Sequence, residues 1–522
     1  MPLARGVGPA AALLLTLAVL TPQRVASDAA GRAAGAPREI REITVAACPP
    51  GAMEPAELTE SCGGETAAAL FTGLVDYDPA TAATREAVAS SITTTDDRLF
   101  TVRLRKGWLF HDGTEVKAAG FVRAWSHAAG ASANGSYYFR NIAGFGRPPR
   151  GGVLSGLKVL DDHTFTIRLT RPSGGFVALL GRTAFAPLPD SFFADPARYH
   201  KAPIGNGPYR FVARTGGDVT LQRFDDYGGP VLPRPDRVVF RAFPDWDKAF
   251  QALRRGEIDY TPSLPHARWD HVVNTPFPGV HVLNFPMGRP EAGNAAFRRA
   301  LSMAIPRQRI VREFGAERVP ADGFVPPPAT GARPGTCGAA CAYDPAGARE
   351  ALAEARAAGF TPPRTFTIYY NSDALQRKWA ALAATAATKA FGGRPTVVAK
   401  PAPPFDEMVR RADAGGLAGA FRWAWLLDAP HASDVLATYR SGAPDNHTGY
   451  ADRRFDALLD AADRTPSPGA AAKLYHRAEK LLVRDMPAIP LFFYRNAAGY
   501  SPRLSGVRTT PFGGLDLFSV RV

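Results

Sequence analysis

The stretch Phe100-Thr101-Val102-Arg103-Leu104-Arg105-Lys106-Gly107-Trp108-Leu109-Phe110-His111-Asp112-Gly113-Thr114 holds two signals side by side. Phe100, Val102 and Leu104 alternate with Thr101, Arg103 and Arg105, the period-two pattern of a strand with one face on a core and the other in water. Asp112-Gly113 then reads as a turn. Further on, Phe165, Ile167 and Leu169 alternate with Thr164, Thr166, Arg168 and Thr170, and residues 116–128 between the two runs read as a helix.

Working outward, residues 40–47 read as a buried strand, 65–74 as a short helix ending at Gly73, and 203–227 as strands. Residues 245–255 read as a helix stopped by Gly256. In the second half Phe297, Ala300, Leu301, Ala304 and Ile305 keep the spacing of one helix face. Asp344 caps a helix over 344–358 with Pro345 at its first position. A strand at 365–370 and a helix at 375–391 follow. Phe455, Leu458, Leu459 and Ala462 repeat the helical spacing, as do Leu474, Ala478, Leu481 and Leu482, and a strand at 489–494 closes the series. Strands and helices in alternation mean an α/β protein with mixed sheets. At 522 residues the chain exceeds what one hydrophobic core supports, so two or three lobes are expected.

Composition narrows the function. An apolar fraction of 46% with 21% charged residues is that of a folded globular protein, despite 50 Gly and 47 Pro. The net charge of +14 comes from arginines spread along the chain. A nucleic-acid binder would gather them into a stripe interleaved with aromatic residues, so that class is set aside. Arg5, the apolar run Ala10–Leu20 and the small residues Val25-Ala26-Ser27 read as a signal peptide over 1–27, followed by a flexible lead at 28–38. No cysteine follows the apolar run closely; the first is Cys48. The expectation is export, to an extracellular, cell-surface or periplasmic place, without an evident lipid anchor. Four cysteines allow three pairings. The two local ones, Cys48–Cys62 and Cys337–Cys341, are expected because each lies in a segment rich in Gly or Pro. A metal site is not expected: the spacing is not that of a zinc ribbon and no paired His lies near.

Catalytic signatures are missing. There is no Gly-x-Ser-x-Gly elbow, no His-Glu-x-x-His and no phosphate-binding loop. Ser155-Gly156-Leu157-Lys158 has the Ser-x-x-Lys spacing but leads into strands, where the Lys would not lie one helical turn from the Ser. His111, beside a turn, is expected at the surface. No cofactor and no enzymatic activity are expected.

Residues 100–114 resemble the signature of the extracellular solute-binding proteins, family 5, that serve peptide and nickel ABC importers. Similar segments follow in the family's order: Pro203-Ile-Gly-Asn-Gly-Pro-Tyr209, Leu253-Arg-Arg-Gly-Glu-Ile-Asp259, Phe297-Arg-Arg-Ala-Leu-Ser-Met-Ala304, Tyr343-Asp-Pro345, 450–459 and Met486-Pro-Ala-Ile-Pro-Leu491. Ala119-Gly120, Asn206 and Pro306 depart from the family pattern and mark a divergent branch. The resemblance implies a periplasmic-binding-protein-like fold: two large lobes joined by a two-strand hinge, plus a smaller inserted lobe. The implied division is lobe I at 39–75, 186–285 and 487–522, the inserted lobe at 76–185 and lobe III at 286–486. Crossings are expected near 283–287 and 485–490.

The resemblance also implies a binding site in Arg422-Trp423-Ala424-Trp425-Leu426-Leu427-Asp428. Asp428, three residues after Trp425, would meet a ligand ammonium, and Arg422, six before it, the carboxylate of a short peptide. Trp423 and Trp425 would wall the cleft, and Glu60 would add a second acidic contact. The implied role is a monomeric binder that passes a peptide-like solute to ABC permease subunits. Two other readings stay open: a binder of a nickel chelate, siderophore or glycan, and a secreted signalling or surface protein that has lost transport.

Overall fold

The computed structural model describes residues 41–48, 51, 53–57, 61–130, 135–146, 152–264, 268–373 and 376–522. The expected signal peptide, the lead and Glu60 lie outside the described residues, as does the Cys62 side chain.

The alternation at 100–104 becomes the strand Leu99–Leu104, with Phe100 and Val102 wholly buried. It pairs antiparallel with Ala89–Thr94 on one side and Thr164–Arg168 on the other, and Leu157–Asp161 completes a four-stranded sheet. Ser155 and Lys158 are exposed here, at and before that edge strand. The helix Ala118–Gly130 lies across the sheet, Phe121 stacking on Phe165 at 5.8 Å and Trp125 meeting the same ring edge-on at 5.7 Å. Phe139, Phe176 and Phe185 join them in one aromatic core. Burying rings on this scale is what holds so small a sheet.

The turn after the signature strand ties this unit to its neighbour. Trp108 Nε1 donates to the Asn206 carbonyl at 3.0 Å, and the His111 amide to that of Gly205 at 2.9 Å. Asn206 is fully buried; its Oδ1 accepts from the Thr72 amide at 3.0 Å and its Nδ2 donates to the Thr72 carbonyl at 2.9 Å. His111 is half-buried rather than at the surface. Its Nδ1 accepts from the Gly205 amide at 3.0 Å, Nε2 meets the Gly207 carbonyl at 3.1 Å, and burial pushes its pKa down to about 4. Gly205 permits this approach, since a Cβ there would fall 1.9 Å from the Leu70 carbonyl oxygen. The first helix runs Ser61–Leu70; the Gly207 amide donates to the Leu70 carbonyl at 2.9 Å, and the helix ends three residues earlier than Gly73 suggests.

A second sheet has eleven strands. Val272–Asn284 and Ala488–Tyr500 pair antiparallel through its middle. On one side lie Tyr260–Thr261, Glu42–Ala47, Arg237–Ala242, Asp218–Arg223 and Tyr209–Thr215; on the other Gly419–Leu426, Thr365–Asn371 and Thr396–Ala402; Arg318–Pro320 adds to Ala488–Tyr500. Ile43, Val45, Tyr209, Leu221 and Ala498 share one core. Leu283, Phe297, Ile368, Trp379 and Leu491 share another, and Val280, Trp423, Tyr475 and Phe493 a third. Both long strands change cores on the way. The change falls between Val273 and Val280 on one and between Tyr494 and Ala498 on the other. The strand expected at 489–494 runs over Ala488–Tyr500, about twice that length.

Helix starts follow local chemistry. Asp245 accepts from the Lys248 amide ahead of Trp246–Arg254, and Asp344 from Ala346 and Gly347 ahead of Pro345–Ala357. Cys337 and Cys341 form a disulfide, and Cys48 is disulfide-bonded as well. Arg298 fastens the helix Ala295–Met303 to the end of Pro468–Asp485: its Nε donates to the carbonyls of Asp485 at 3.0 Å and Met486 at 3.1 Å, and a terminal nitrogen to Asp485 at 2.7 Å. Only 5% of Arg298 is exposed, so removing it strands those carbonyls in a dry site. Arg298→Met should lower stability by about 3 kcal/mol. Thermal unfolding checks this, and an unchanged midpoint would exclude the bolt role.

Candidate functional site

The strand Gly419–Leu426 sends alternate side chains to opposite faces. Trp423 points into the core, stacked on Phe405 at 5.2 Å and touching His447 at 4.3 Å. It is 9% exposed and packs the third core. Trp425 is half-buried, and its Nε1 donates to Asp434 Oδ2 at 3.0 Å. The same oxygen accepts from the Asp428 amide at 2.9 Å. Asp434, in the first turn of Ala432–Ala437, thus closes the loop that leaves the strand and fixes where Asp428 stands.

Across the gap the one-turn helix Ser136–Phe139 presents two successive tyrosines. Tyr137 donates its hydroxyl to Asp428 Oδ1 at 3.0 Å, and Tyr138 accepts from Arg182 at 3.2 Å. The two rings touch, centroids 4.2 Å apart. Near them Arg140 pairs with Asp445 at 2.9 Å. Between these walls lies a cleft of about 460 Å³, lined among others by Tyr137, Arg171 and Phe176 on one side and Asp428, Asp434 and Asp463 on the other. A shallower depression of about 490 Å³ lies on the helices Arg453–Asp463 and Pro468–Asp485, lined by Arg454, Leu458, Arg477 and Lys480. It contains no acceptor and no aromatic wall, so the chemistry belongs to the first.

Burial dominates the electrostatics. It raises Asp428 above the ordinary carboxylate range, against the pull of Arg182 and the Tyr137 hydroxyl. Asp434 is pushed up to about 8 by burial first and by the Asp428 charge second, against the pull of its two hydrogen bonds. Burial with a like charge nearby thus favours the protonated form of Asp434.

Arg422 stands elsewhere, one residue out of step with the tryptophans. Its guanidinium lies 5.4 Å from the Phe405 ring centre, and its Nε is buried without a hydrogen-bond partner. It faces His281, as does Arg318, which lies 4.2 Å over Tyr494. His281 Nδ1 contacts the Tyr494 hydroxyl at 3.3 Å, and burial with the two arginines holds its pKa well down. The structure therefore brings Trp425 and Asp428 together, sets Arg422 in a separate cationic group and uses Trp423 as core. Sequence reasoning gave no role to Asp434, at the end of the candidate stretch, and missed Tyr137, Arg182 and Arg318. Of these, the Tyr137-Tyr138 pair in a Gly/Ser loop was the one visible signal.

Among the described residues no group of three His, Cys, Asp or Glu side chains could hold a metal ion, and no helix is long and apolar enough to cross a membrane. The sequence pattern of the bacterial extracellular solute-binding proteins, family 5, middle part, matches residues 83–447. The chain belongs to that family. Within it, the chain is similar to the periplasmic oligopeptide-binding protein OppA of Escherichia coli, 26% identical over 84% of each chain. It is also similar to the glutathione-binding protein GsiB of Salmonella typhimurium, 24% identical over 89% of this chain and 91% of the other. The fold matches that of the periplasmic murein tripeptide binding protein MppA in its unliganded open form, with TM-score 0.81 and 23% identity over 93% of this chain and 98% of that one. The family fold has two lobes with mixed sheets, and its members bind solutes outside the cell.

The Asp434 shift has a stability consequence. An aspartate titrates near 3.9 when unfolded, so a folded pKa of about 8 gives a stability contribution complete below pH ~4 and lost as pH rises through 8. Asp434→Asn keeps an acceptor for Trp425 and for the Asp428 amide but removes the titration. From pH 5 to pH 9 the unfolding midpoint of the wild type should fall relative to that of the variant; parallel curves would contradict the raised Asp434 pKa.

Proposed function

We propose that this protein captures a peptide-like solute between its lobes, by the two charged ends, and delivers it to an ABC permease. The observation that carries this reading is the separation of the two charge groups. Asp428 is a desolvated carboxylate with no basic side chain within ion-pair distance among the described residues, and it stands beside an aromatic-lined cleft. Arg422 stands on the neighbouring strand with no carboxylate within ion-pair distance among the described residues; Arg318, which also acts on His281, is paired with Glu317 at 3.6 Å. An ammonium at one and a carboxylate at the other match a zwitterion held by its ends, with side chains free to vary between them. Relatives named for oligopeptide, glutathione and murein tripeptide binding support the same class. Glu60 remains a candidate for a further acidic contact. A ligand touching both lobes shifts the population toward the closed form, and the closed form is what a permease would engage. Export by the segment 1–27 and action as a monomer complete the reading.

Losing one partner of a buried charged pair weakens binding by about 2–5 kcal/mol. Asp428→Asn should therefore lower the affinity for an unblocked tripeptide at least about thirtyfold with the unfolding midpoint retained. Arg422→Gln should weaken the free tripeptide and leave its C-terminal amide unchanged. Calorimetric titration reads both. Unchanged affinity in Asp428→Asn would remove the anchor, and a discrete non-peptide mass retained in native mass spectrometry would move the substrate to another class.

A further inference from the structure

Arg182 is a guanidinium in an unusual position. Its side chain offers five N–H donors, yet among the described residues its hydrogen bonds go to the Tyr138 hydroxyl alone. No carboxylate lies within ion-pair distance of it there. Its other neighbours are aromatic: the Phe512 ring lies 4.2 Å from the guanidinium carbon and the Tyr138 ring 5.8 Å. Phe512 in turn meets Tyr77 edge-on at 5.3 Å. A cation held half-buried against rings, with most of its donors unused, is poorly accounted for by the fold, because buried charges are ordinarily paired. It is well suited to receive a planar anion in a forked geometry.

Its place relative to Asp428 gives the anion its context. Tyr137 and Tyr138 are consecutive and their rings are in contact. One hydroxyl is bonded to the Asp428 carboxylate, the other to the Arg182 guanidinium. The two tyrosines thus hold a negative and a positive group side by side, close enough for Arg182 to pull on the titration of Asp428. We propose that Asp428 and Arg182 form one head-group subsite, which selects ligands whose ammonium-bearing residue also carries a carboxylate. An ordinary α-linked N-terminus presents an ammonium and no anion on the same residue. A γ-linked glutamyl residue presents both on one carbon, and an α-linked glutamyl residue presents its side-chain carboxylate a few bonds away. This rests on the assignment of Asp428 as the ammonium anchor and adds a specificity to it. Tyr137, already bonded to Asp428, orients that carboxylate; Tyr138 does the same for Arg182.

The test uses three tripeptides of nearly equal size, γ-Glu-Ala-Ala, Glu-Ala-Ala and Gln-Ala-Ala, titrated into the full-length protein by calorimetry. The wild type should bind at least one glutamyl peptide about tenfold or more above the glutaminyl one. Arg182→Gln should erase that preference while leaving Gln-Ala-Ala within about threefold, and Arg182→Lys, which keeps the charge but not the fork, should restore part of it. Equal affinity of the wild type for all three overturns the subsite and leaves the peptide reading standing. So does a loss in Arg182→Gln that is the same for all three, which marks a merely supporting side chain. Should Arg182→Gln fail to fold, the wild-type comparison and Arg182→Lys still decide. No binding of any of the three overturns the subsite together with the peptide reading beneath it.

Discussion

Everything in the molecule hangs on the antiparallel pairing of Val272–Asn284 with Ala488–Tyr500. These two strands belong to both halves of the larger sheet, so the halves share one hydrogen-bonded framework. Gly419–Leu426 pairs directly with Val272–Asn284, and the loop carrying Asp428 leaves from the end of that pairing. Arg318 reaches the same framework through Ala488–Tyr500. The cleft is thus a product of sheet register: a slip of one residue would exchange Trp423 with Arg422 and empty the site.

Dryness, more than charge count, gives the site its character. The protein has a net charge of +14, but the groups that matter are few and their setting is apolar. Asp428, Asp434 and His281 are all displaced from their behaviour in water chiefly because the groups around them exclude it. Surface ion pairs such as Arg85–Asp78 contribute little by comparison. Polar groups left without partners in a dry place represent interaction energy available to a ligand.

The elements built from local chemistry were legible in the sequence. Alternation at 100–104 and 164–169 gave the small sheet, and aspartates at 245 and 344 marked helix starts where they occur. Asp428 entered as a candidate through the family resemblance, and the structure places it at the cleft beside Asp434. What was not legible depends on contacts distant along the chain. Tyr137 is 291 residues from Asp428, and no period connects them. Asp434 reads as an ordinary acidic residue in the first turn of a helix; only the folded loop turns its carboxylate onto Trp425 and the Asp428 amide. His111 was misjudged because two glycines at 205 and 207 let a distant loop close over it.

The register between the two long strands is interrupted between Pro276 and Val280, where the chain reads Pro276-Phe277-Pro278-Gly279. Neither proline has an amide to give the ladder, and two more residues are spent on this strand than on its partner. In mechanical terms the larger sheet is two stiff plates joined along one compliant seam, with slack stored in the seam itself. Bending there breaks few hydrogen bonds, since few were made. The energy a ligand supplies on closing the plates is therefore spent mainly on the ligand's own contacts, and the stiffness of the seam, set by the three residues between Pro276 and Val280, tunes how tightly every ligand is held.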